Sequence, residues 1–148
     1  MTSVEQLITR LQDSLHQTVV LKRPRRYFLT VPREQLHEAA VILASEGVQH
    51  LSTITGRDTG TALEVLYHFF VNDSVVTVKT QLPREDPTVD SIMDVFPSAV
   101  LYERELLDLL GITARGHPDL RRLVLPDEWR GGYPLRKDWK PIQEESHA

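Results

Sequence analysis

Hydrophobic residues near the N-terminus follow the three-and-four spacing of one helix face, at Val4, Leu7, Ile8, Leu11 and Leu15. Thr2 or Ser3 fits the cap position of this helix, which should end near His16. A second helix is predicted over residues 32–46, because a proline opens the segment and Gly47 follows its last apolar position. Each helix should bury one apolar stripe against the rest of the domain.

Five further segments have the β-branched content and alternation of strands: residues 18–22, 27–31, 49–55, 61–71 and 74–82. The segment 61–71 is apolar on both alternating faces, which predicts an interior strand. A tight turn at Asn72 and Asp73 should join it to 74–82, since both residue types tolerate a positive φ. In this last strand the predicted core side is Val76, Val78 and Leu82, and the predicted solvent side is Thr77, Lys79 and Gln81.

The segment after the strands is predicted to contain two helices. Thr88 would cap a short one over residues 89–95, and a longer one follows over 97–111, with Pro97 in its first turn and Gly111 past its end. The element order α-β-β-α-β-β-β, then helices, predicts an α+β fold, a two-layer sandwich of helices on a sheet. We divide the single structural domain into a core (1–96), a helix (97–111) and a C-terminal arm (112–148).

The predicted helix over 97–111 has one carboxylate inside its apolar face. The apolar positions are Tyr102, Leu106, Leu107, Leu109 and Leu110, whereas the opposite face carries Arg104, Glu105 and Asp108. Arg104 and Asp108 are four residues apart and should form an ion pair. Glu103 falls inside the apolar arc, where an unpaired carboxylate is costly. We therefore expect a cation from the following segment to pair with it, the candidates being Arg121, Arg122 and Arg136.

The C-terminal arm combines little periodicity with many apolar side chains. A turn is predicted at residues 116–119, whose proline and aspartate favour reversal of the chain. Beyond it, glycines and prolines interrupt any regular element. Disorder is disfavoured because the arm carries Leu120, Leu123, Val124, Leu125, Trp129, Tyr133, Leu135 and Trp139. A long ordered segment without regular structure usually has a function, so we expect the arm to lie against a partner surface.

Composition argues against several classes of function. The 148 residues carry a formal net charge of −4 and show no basic–aromatic strand pattern, which argues against nucleic-acid binding. No apolar run approaches the ~18–20 residues that span a bilayer, and residues 1–6 do not begin like a signal peptide. The expected location is cytoplasmic, with peripheral attachment to a larger assembly. Because the sequence has no cysteine, it provides no thiolate ligand for an iron–sulfur or nickel–iron site.

Three polar segments could carry chemistry of their own. His117 and Asp119, with Glu103, could form the site of a stand-alone small-molecule-binding or hydrolytic domain, although no third ligand has the spacing of a metal motif. The competing interpretation of His117 and Asp119 is a hydrogen-bonded turn. The polar loop over 55–60 has two glycines but lacks the Lys-Ser/Thr pair of a phosphate-binding P-loop. The basic cluster over 22–26 is either a solvated turn or a contact for an acidic neighbour or lipid headgroups.

One set of residues in the last third of the chain also resembles a known signature. The set comprises Glu103, Arg104, Glu105, Asp108, Gly111, His117, Pro118, Asp119, Arg121, Arg122, Pro134, Leu135, Arg136, Lys137 and Asp138. In this order, with this proline and glycine punctuation, it is similar to the C-subunit family of NADH:quinone oxidoreductase (complex I). That family includes the related subunits of membrane-bound, energy-converting nickel–iron hydrogenases.

The resemblance implies a non-catalytic structural subunit of a membrane-associated oxidoreductase, with no cofactor or metal bound by this chain. Its implied partner is the large, nickel–iron-hydrogenase-like, quinone-proximal subunit, with an iron–sulfur subunit nearby and membrane-arm subunits contacted indirectly. Iron–sulfur clusters and the quinone or nickel–iron site would belong to those partners. The signature charges would either dock on the partner or hold the arm to its own domain. The complex would lie on the cytoplasmic face of the membrane, and the choice between complex I and a hydrogenase-type relative stays open.

Overall fold

A five-stranded mixed sheet organises the computed structural model, which describes residues 3–141. Its strands are β1 (Val19–Arg23), β2 (Arg26–Thr30), β3 (His50–Asp58), β4 (Leu63–Val71) and β5 (Ser74–Leu82). They lie in the order β1-β2-β5-β4-β3, and only the β2–β5 pair is parallel. The predicted strands are therefore confirmed, and β4 is an interior strand, as its apolar pattern predicts.

Three helices cover one face of this sheet. They are α1 (Val4–Leu15), α2 (Leu36–Ser45), which follows a 3₁₀ turn at Arg33–Gln35, and α3 (Ala99–Leu110). Ser3 caps α1 through a capping box with Gln6, so the predicted start of this helix is confirmed. The predicted two-layer α+β sandwich is also confirmed, because the apolar side chains of all three helices share one core with the sheet.

The third helix packs against β3, and a glycine makes its close approach possible. A Cβ atom at Gly56 would overlap the terminal methyl groups of Leu106 and Leu110, so any larger residue there would force these side chains of α3 to move. The Tyr102 hydroxyl donates to the Ser52 carbonyl of β3 at 2.8 Å. An otherwise open edge of the sheet is thereby partly covered.

A second, two-stranded sheet corrects the prediction of a helix over residues 89–95. Thr88–Asp90 forms β6, which pairs in parallel with β7 (Thr113–Arg115), and Thr88 therefore caps no helix. The partner strand lies beyond α3 in the sequence, so no local pattern identifies the pairing. The first residues of the predicted arm thus belong to a small sheet, and α3 begins at Ala99, after Pro97 rather than around it.

Two further expectations about the strands are wrong. The polar segment over 55–60 is largely strand, because β3 continues to Asp58. Thr77 is predicted to face solvent. It lies on the side of β5 away from the helices, as predicted, but it is buried, and its hydroxyl lies 2.9 Å from His68 Nδ1 on β4. None of the helices among residues 3–141 is long and apolar enough to cross a membrane.

Candidate partner-docking site

The C-terminal arm folds back over the outer face of α3, and Asp108 holds it there. The Asp108 side chain, only 1% exposed, accepts hydrogen bonds from the backbone N–H groups of Leu123, Val124 and Leu125 at 3.3, 2.8 and 2.8 Å. Arg122 adds an ion pair at 3.1 Å. Burial alone would raise the pKa of Asp108, but these donors outweigh it and the pKa lies below its usual value.

The predicted ion pair between Arg104 and Asp108 on a solvated helix face is therefore wrong. Arg104 instead donates to the backbone carbonyls of Arg121 and Arg122, at 2.9 and 2.7 Å. The helical periodicity of α3 assigns this face to solvent because it carries no information about a segment that returns from later in the sequence. Arg104 and Asp108 of this face therefore both bind arm backbone.

The C-terminal end of α3 is closed by a second contact from the arm. Gly111 adopts φ +72°, and a Cβ atom there would lie 2.6 Å from the Tyr133 ring and 2.7 Å from Arg136. Arg136 Nε donates to the Leu110 carbonyl at 2.7 Å, and its guanidinium lies 4.8 Å from the Tyr133 ring centroid. A cation at this position satisfies an orphan carbonyl and complements the helix dipole.

A third anchor of the arm, at Asp58, is not indicated by the sequence signature. This buried carboxylate at the end of β3 accepts from the backbone N–H groups of Gly60 and Lys137, at 2.8 and 2.9 Å. Arg84 pairs with Asp58 and also lies 3.3 Å from Asp138. Burial opposes ionisation, but the backbone donors and Arg84 lower the pKa of Asp58 to about 2. Nothing in the sequence around Asp58 distinguishes it from an ordinary loop aspartate.

Both tryptophans of the chain stabilise the arm internally. Trp129 Nε1 donates to the Gly132 carbonyl at 2.8 Å, and Trp139 Nε1 donates to the Gly131 carbonyl at 2.6 Å. A Cβ atom at Gly131 would lie 2.6 Å from the Trp129 ring, so the indole packs directly on the glycine backbone. Beyond β7, residues 116–141 of the arm are thus ordered without regular secondary structure, as the apolar content of the arm predicts.

His117 and Asp119 form a turn rather than an open polar site. His117 Nε2 lies 3.0 Å from the Val100 carbonyl, and its Nδ1 accepts from the Asp119 N–H at 2.9 Å. The Asp119 carboxylate accepts two bonds of 2.7 Å from Arg121. Both imidazole nitrogens and both carboxylate oxygens are therefore already engaged within the chain. Within residues 3–141 no group of three His, Asp or Glu side chains is placed to hold a metal ion.

Glu103 is buried inside the apolar arc, as its position in the helix predicts, but the prediction that an arginine pairs with it is wrong. It is 0% exposed and accepts from the Ser91 hydroxyl at 2.7 Å and from the Ile92 N–H at 2.8 Å. Burial raises the pKa of Glu103 above its usual value, although the two donors act in the opposite direction. Arg121 instead bonds to Asp119 of the arm, Arg122 to Asp108 of α3, and Arg136 to the Leu110 carbonyl at the end of α3.

These anchors leave apolar side chains of the arm exposed on the surface. Leu123, Val124, Tyr133 and Leu135 are between 39% and 56% exposed, and Leu101 on α3 is 50% exposed. A cleft of about 270 Å³ between α3 and the arm is lined by Arg104, Arg121 and Arg122 among others. We name the exposed apolar side chains Leu123, Val124, Tyr133 and Leu135 the arm surface. Apolar groups rimmed by arginines are typical of a protein–protein contact.

Comparison with known proteins identifies the family. Residues 29–145 match the family described as "Respiratory-chain NADH dehydrogenase, 30 Kd subunit". The chain belongs to this family. The resemblance carried by the signature residues is thereby confirmed, and with it the assignment to the subunits of complex I-type respiratory oxidoreductases.

Relatives of this 30 Kd-family chain include proteins of similar and of greater length. The chain is 33% identical over 144 residues to the C subunit of the F(420)H(2) dehydrogenase of Methanosarcina mazei. The alignment covers 94% of this chain and 90% of that protein. It is 36% identical over 133 residues to the C subunit of the NADH-quinone oxidoreductase of Chloroherpeton thalassium, covering 84% of this chain and 55% of that protein. The chain thus spans little more than half of the second relative.

Solved structures support the same fold. A trypsin-resistant fragment of Nqo5 matches with a TM-score of 0.69 and 27% identity, over 79% of this chain and 98% of the fragment. A chain in the structure of a membrane-bound sulfane sulfur reductase, an archaeal respiratory membrane complex, matches with a TM-score of 0.81 over 92% of this chain and 85% of that one. At 24% identity, this second likeness concerns the fold alone.

Proposed function

We propose that this chain is a non-catalytic scaffold subunit in the peripheral arm of a complex I-type oxidoreductase. Its arm docks on the large, quinone-proximal subunit of nickel–iron-hydrogenase type, and an iron–sulfur subunit lies nearby. The observation that carries the proposal is the construction of the arm: its backbone is tied to Asp108 and Asp58, while its apolar side chains are exposed.

The chemistry of the signature residues supports a structural role. Four signature residues that could act as acid, base or ligand, Glu103, Asp108, His117 and Asp119, are each bonded to the chain's own backbone or side chains. The sequence contains no cysteine. Electron transfer in the complex therefore belongs to clusters and a quinone or nickel–iron site held by partner subunits. The chain lies at the cytoplasmic face of the membrane through these partners.

The test introduces a charge into the arm surface without disturbing the core. Val124→Asp and Leu135→Asp alter side chains that are each 56% exposed, so the free subunit should fold as before. Val41→Asp, at a 44% exposed position of α2, is the matched control. Each tagged variant is purified from native membranes in mild detergent, and its associated subunits are identified by mass spectrometry.

We expect the large subunit and the iron–sulfur subunit to accompany the wild-type chain and the Val41→Asp control. Both should be lost from the two arm variants, because a carboxylate buried in an apolar contact is costly. Deletion of residues 130–148 should likewise abolish assembly and leave the rest of the domain folded. Recovery of both partners with the arm variants at wild-type yield would refute docking through the arm.

A further inference from the structure

The sheet has a second face that no helix covers in the described part of the chain. Strand alternation directs Val20 of β1, Phe28 of β2 and Phe70 of β4 to this face, away from α1, α2 and α3. Val20 is 50% exposed and Phe70 is 48% exposed. Sheets with one solvated face normally place polar side chains there, so exposed aromatic and aliphatic groups indicate a covered surface in the assembly. We name it the open face.

The open face is basic although the chain as a whole is acidic. Lys22, Arg23 and Arg26 surround Phe28 in a cleft of about 370 Å³, with Lys22 Nζ 4.6 Å from the ring centroid. No carboxylate among the described residues forms an ion pair with any of these three cations. Arg25, at the turn of the same hairpin, pairs with Asp73 at 3.6 Å. The charge of this corner is therefore available to an outside anion.

Strand β4 places one carboxylate on the open face, and it is already neutralised. Glu64 of β4 is 6% exposed and lies 2.6 Å from Arg57 and 3.9 Å from Lys79. Two cations thus share one anion there. With a formal net charge of −4 over the sequence, the face has the opposite sign to the rest of the molecule.

The open face continues towards the docking arm. Thr53 and Thr55 of β3 share a groove of about 180 Å³ with Leu109 of α3 and with Leu135 of the arm. A partner seated on the arm surface therefore meets the β3 side of the sheet without a gap. This continuity extends the contact of the proposed function and depends on it.

We propose that the protein partner which receives the arm also covers the open face, with an apolar centre on Phe70 and Phe28 and with acidic side chains on the Lys22–Arg26 corner. The occupant is a carboxylate-bearing protein surface, because the exposed apolar groups lie on several strands and adjoin a protein-docking arm. The basic cluster over 22–26, which the sequence leaves open as a solvated turn or a contact for an acidic neighbour or lipid, lies beside Phe28 on this face, and Phe70 joins them only in the folded sheet.

Single cysteines provide a direct test, since the chain has none of its own. Phe70→Cys is placed on the open face, Leu135→Cys on the arm and Val41→Cys on exposed α2. The rate of maleimide labelling is compared between the free subunit and the purified native complex. At Phe70→Cys and Leu135→Cys we expect labelling to slow by about tenfold or more on assembly, because the core of a protein interface excludes water. At Val41→Cys the rate should be unchanged.

The outcomes separate this inference from the proposed function. Protection at Leu135→Cys with full labelling at Phe70→Cys overturns the open-face contact and leaves arm docking intact. Full labelling at both positions in the complex overturns both. Protection at Phe70→Cys that disappears on nuclease treatment, or on removal of lipid with all subunits retained, assigns the face to nucleic acid or lipid and also overturns the inference.

A charge reversal tests the acidic character of the partner surface. Arg26→Glu should lower the yield of assembled complex several-fold at low salt, and its difference from the wild type should shrink as sodium chloride is added, because salt screens the charge that has been reversed. Arg115→Glu reverses a charge on β7 away from the face; although it also breaks the 3.1 Å ion pair with Asp90, it should leave the yield and its salt dependence unchanged. Equal yields for Arg26→Glu and wild type at every salt concentration would contradict an acidic partner.

Discussion

The helical layer over the sheet and the arm over α3 are both ordered, yet different interactions hold them. In the helical layer, Leu7, Leu11 and Leu15 of α1 are at most 1% exposed, and burial of each contributes about 1.5–3 kcal/mol. In the described part of the arm, four apolar side chains stay exposed (Leu123, Val124, Tyr133 and Leu135), and three anchors fix the backbone: Asp108, Asp58 and the Arg136 contact with the end of α3.

Because different interactions hold the two regions, one small domain can contain both a stable core and an exposed apolar surface for a partner. Apolar burial is not sensitive to pH or to a single proton. Attachment of the arm is sensitive to pH, because two ionised carboxylates accept its backbone N–H groups. The exposed side chains of Leu123, Val124 and Leu135 are free to contact a partner, because none of the three anchors uses them.

The largest change in the free energy of unfolding should come from a substitution in the core. Leu11→Ala removes a fully buried side chain from α1 and should lower the free energy of unfolding by ~2–5 kcal/mol. The control Val41→Ala, at an exposed site of α2, should change it by no more than ~0.5 kcal/mol. Urea denaturation followed by circular dichroism measures both. Equal stability of Leu11→Ala and wild type would show that α1 is not part of the cooperative core.

A smaller and local effect is expected in the arm. Asp108→Asn replaces a charged acceptor of three backbone N–H groups and leaves Arg122 without its anion, so opening of the arm should become easier by ~2–3 kcal/mol. Hydrogen exchange at Val124 and Leu125 should accelerate, while circular dichroism of the core should change little.

The exposed carboxylate of Glu105 on the same helix provides the matched control. Glu105→Gln should leave exchange at Val124 and Leu125 as in the wild type, since no arm backbone bonds to that side chain among the described residues. Unchanged exchange in Asp108→Asn would mean that the arm is held by its other anchors alone.

The sequence predicts the elements of the helical layer and the sheet, but it does not predict the contacts that hold the arm. The core elements follow from local patterns: the capping box at Ser3, the stripe of α1 and the two-sided apolar run of β4 are each visible within a few neighbouring residues. The anchors of the arm depend on residues far apart in the chain. Asp58 meets Lys137 across 79 positions, and β6 meets β7 only after α3 has intervened.

The two carboxylates of α3 illustrate the limit of a helical pattern. Periodicity correctly places Glu103 inside and wrongly leaves Asp108 outside, because it describes one packing face and α3 has a second one under the arm. The cost of burying a carboxylate leads to the expectation of an arginine partner for Glu103, which instead accepts from the Ser91 hydroxyl and the Ile92 N–H. The signature residues are identified from their order in the sequence, but their bonds are not.

Acidification should release the arm before it unfolds the core. The pKa of Asp58 is about 2 and that of Asp108 is also lowered, so the unfolded or detached state binds protons more readily than the docked state. The stabilisation is therefore complete above about pH 4 and is lost as the pH falls towards 2. Both tryptophans lie in the arm, so their emission should shift to longer wavelength at a higher pH than the loss of circular dichroism. Coincident transitions would contradict separate arm opening.

The smallest effect on stability should come from Glu103. Its pH dependence should have the opposite sign to that of the arm carboxylate contacts. Its raised pKa means that the folded state keeps a proton which the unfolded state has lost, so its contribution to stability falls as the pH rises through the usual value of 4.5. Glu103→Gln retains a hydrogen-bonding group beside Ser91 and Ile92 without a charge to bury, and should cost no more than about 1 kcal/mol at pH 4. As the pH is raised to 8, the stability of the wild type should decline relative to that of the variant, in urea titrations at each pH. Parallel pH profiles for the two proteins would mean that Glu103 ionises in the folded state as easily as in the unfolded chain, and that the donors of Ser91 and Ile92 fully offset its burial.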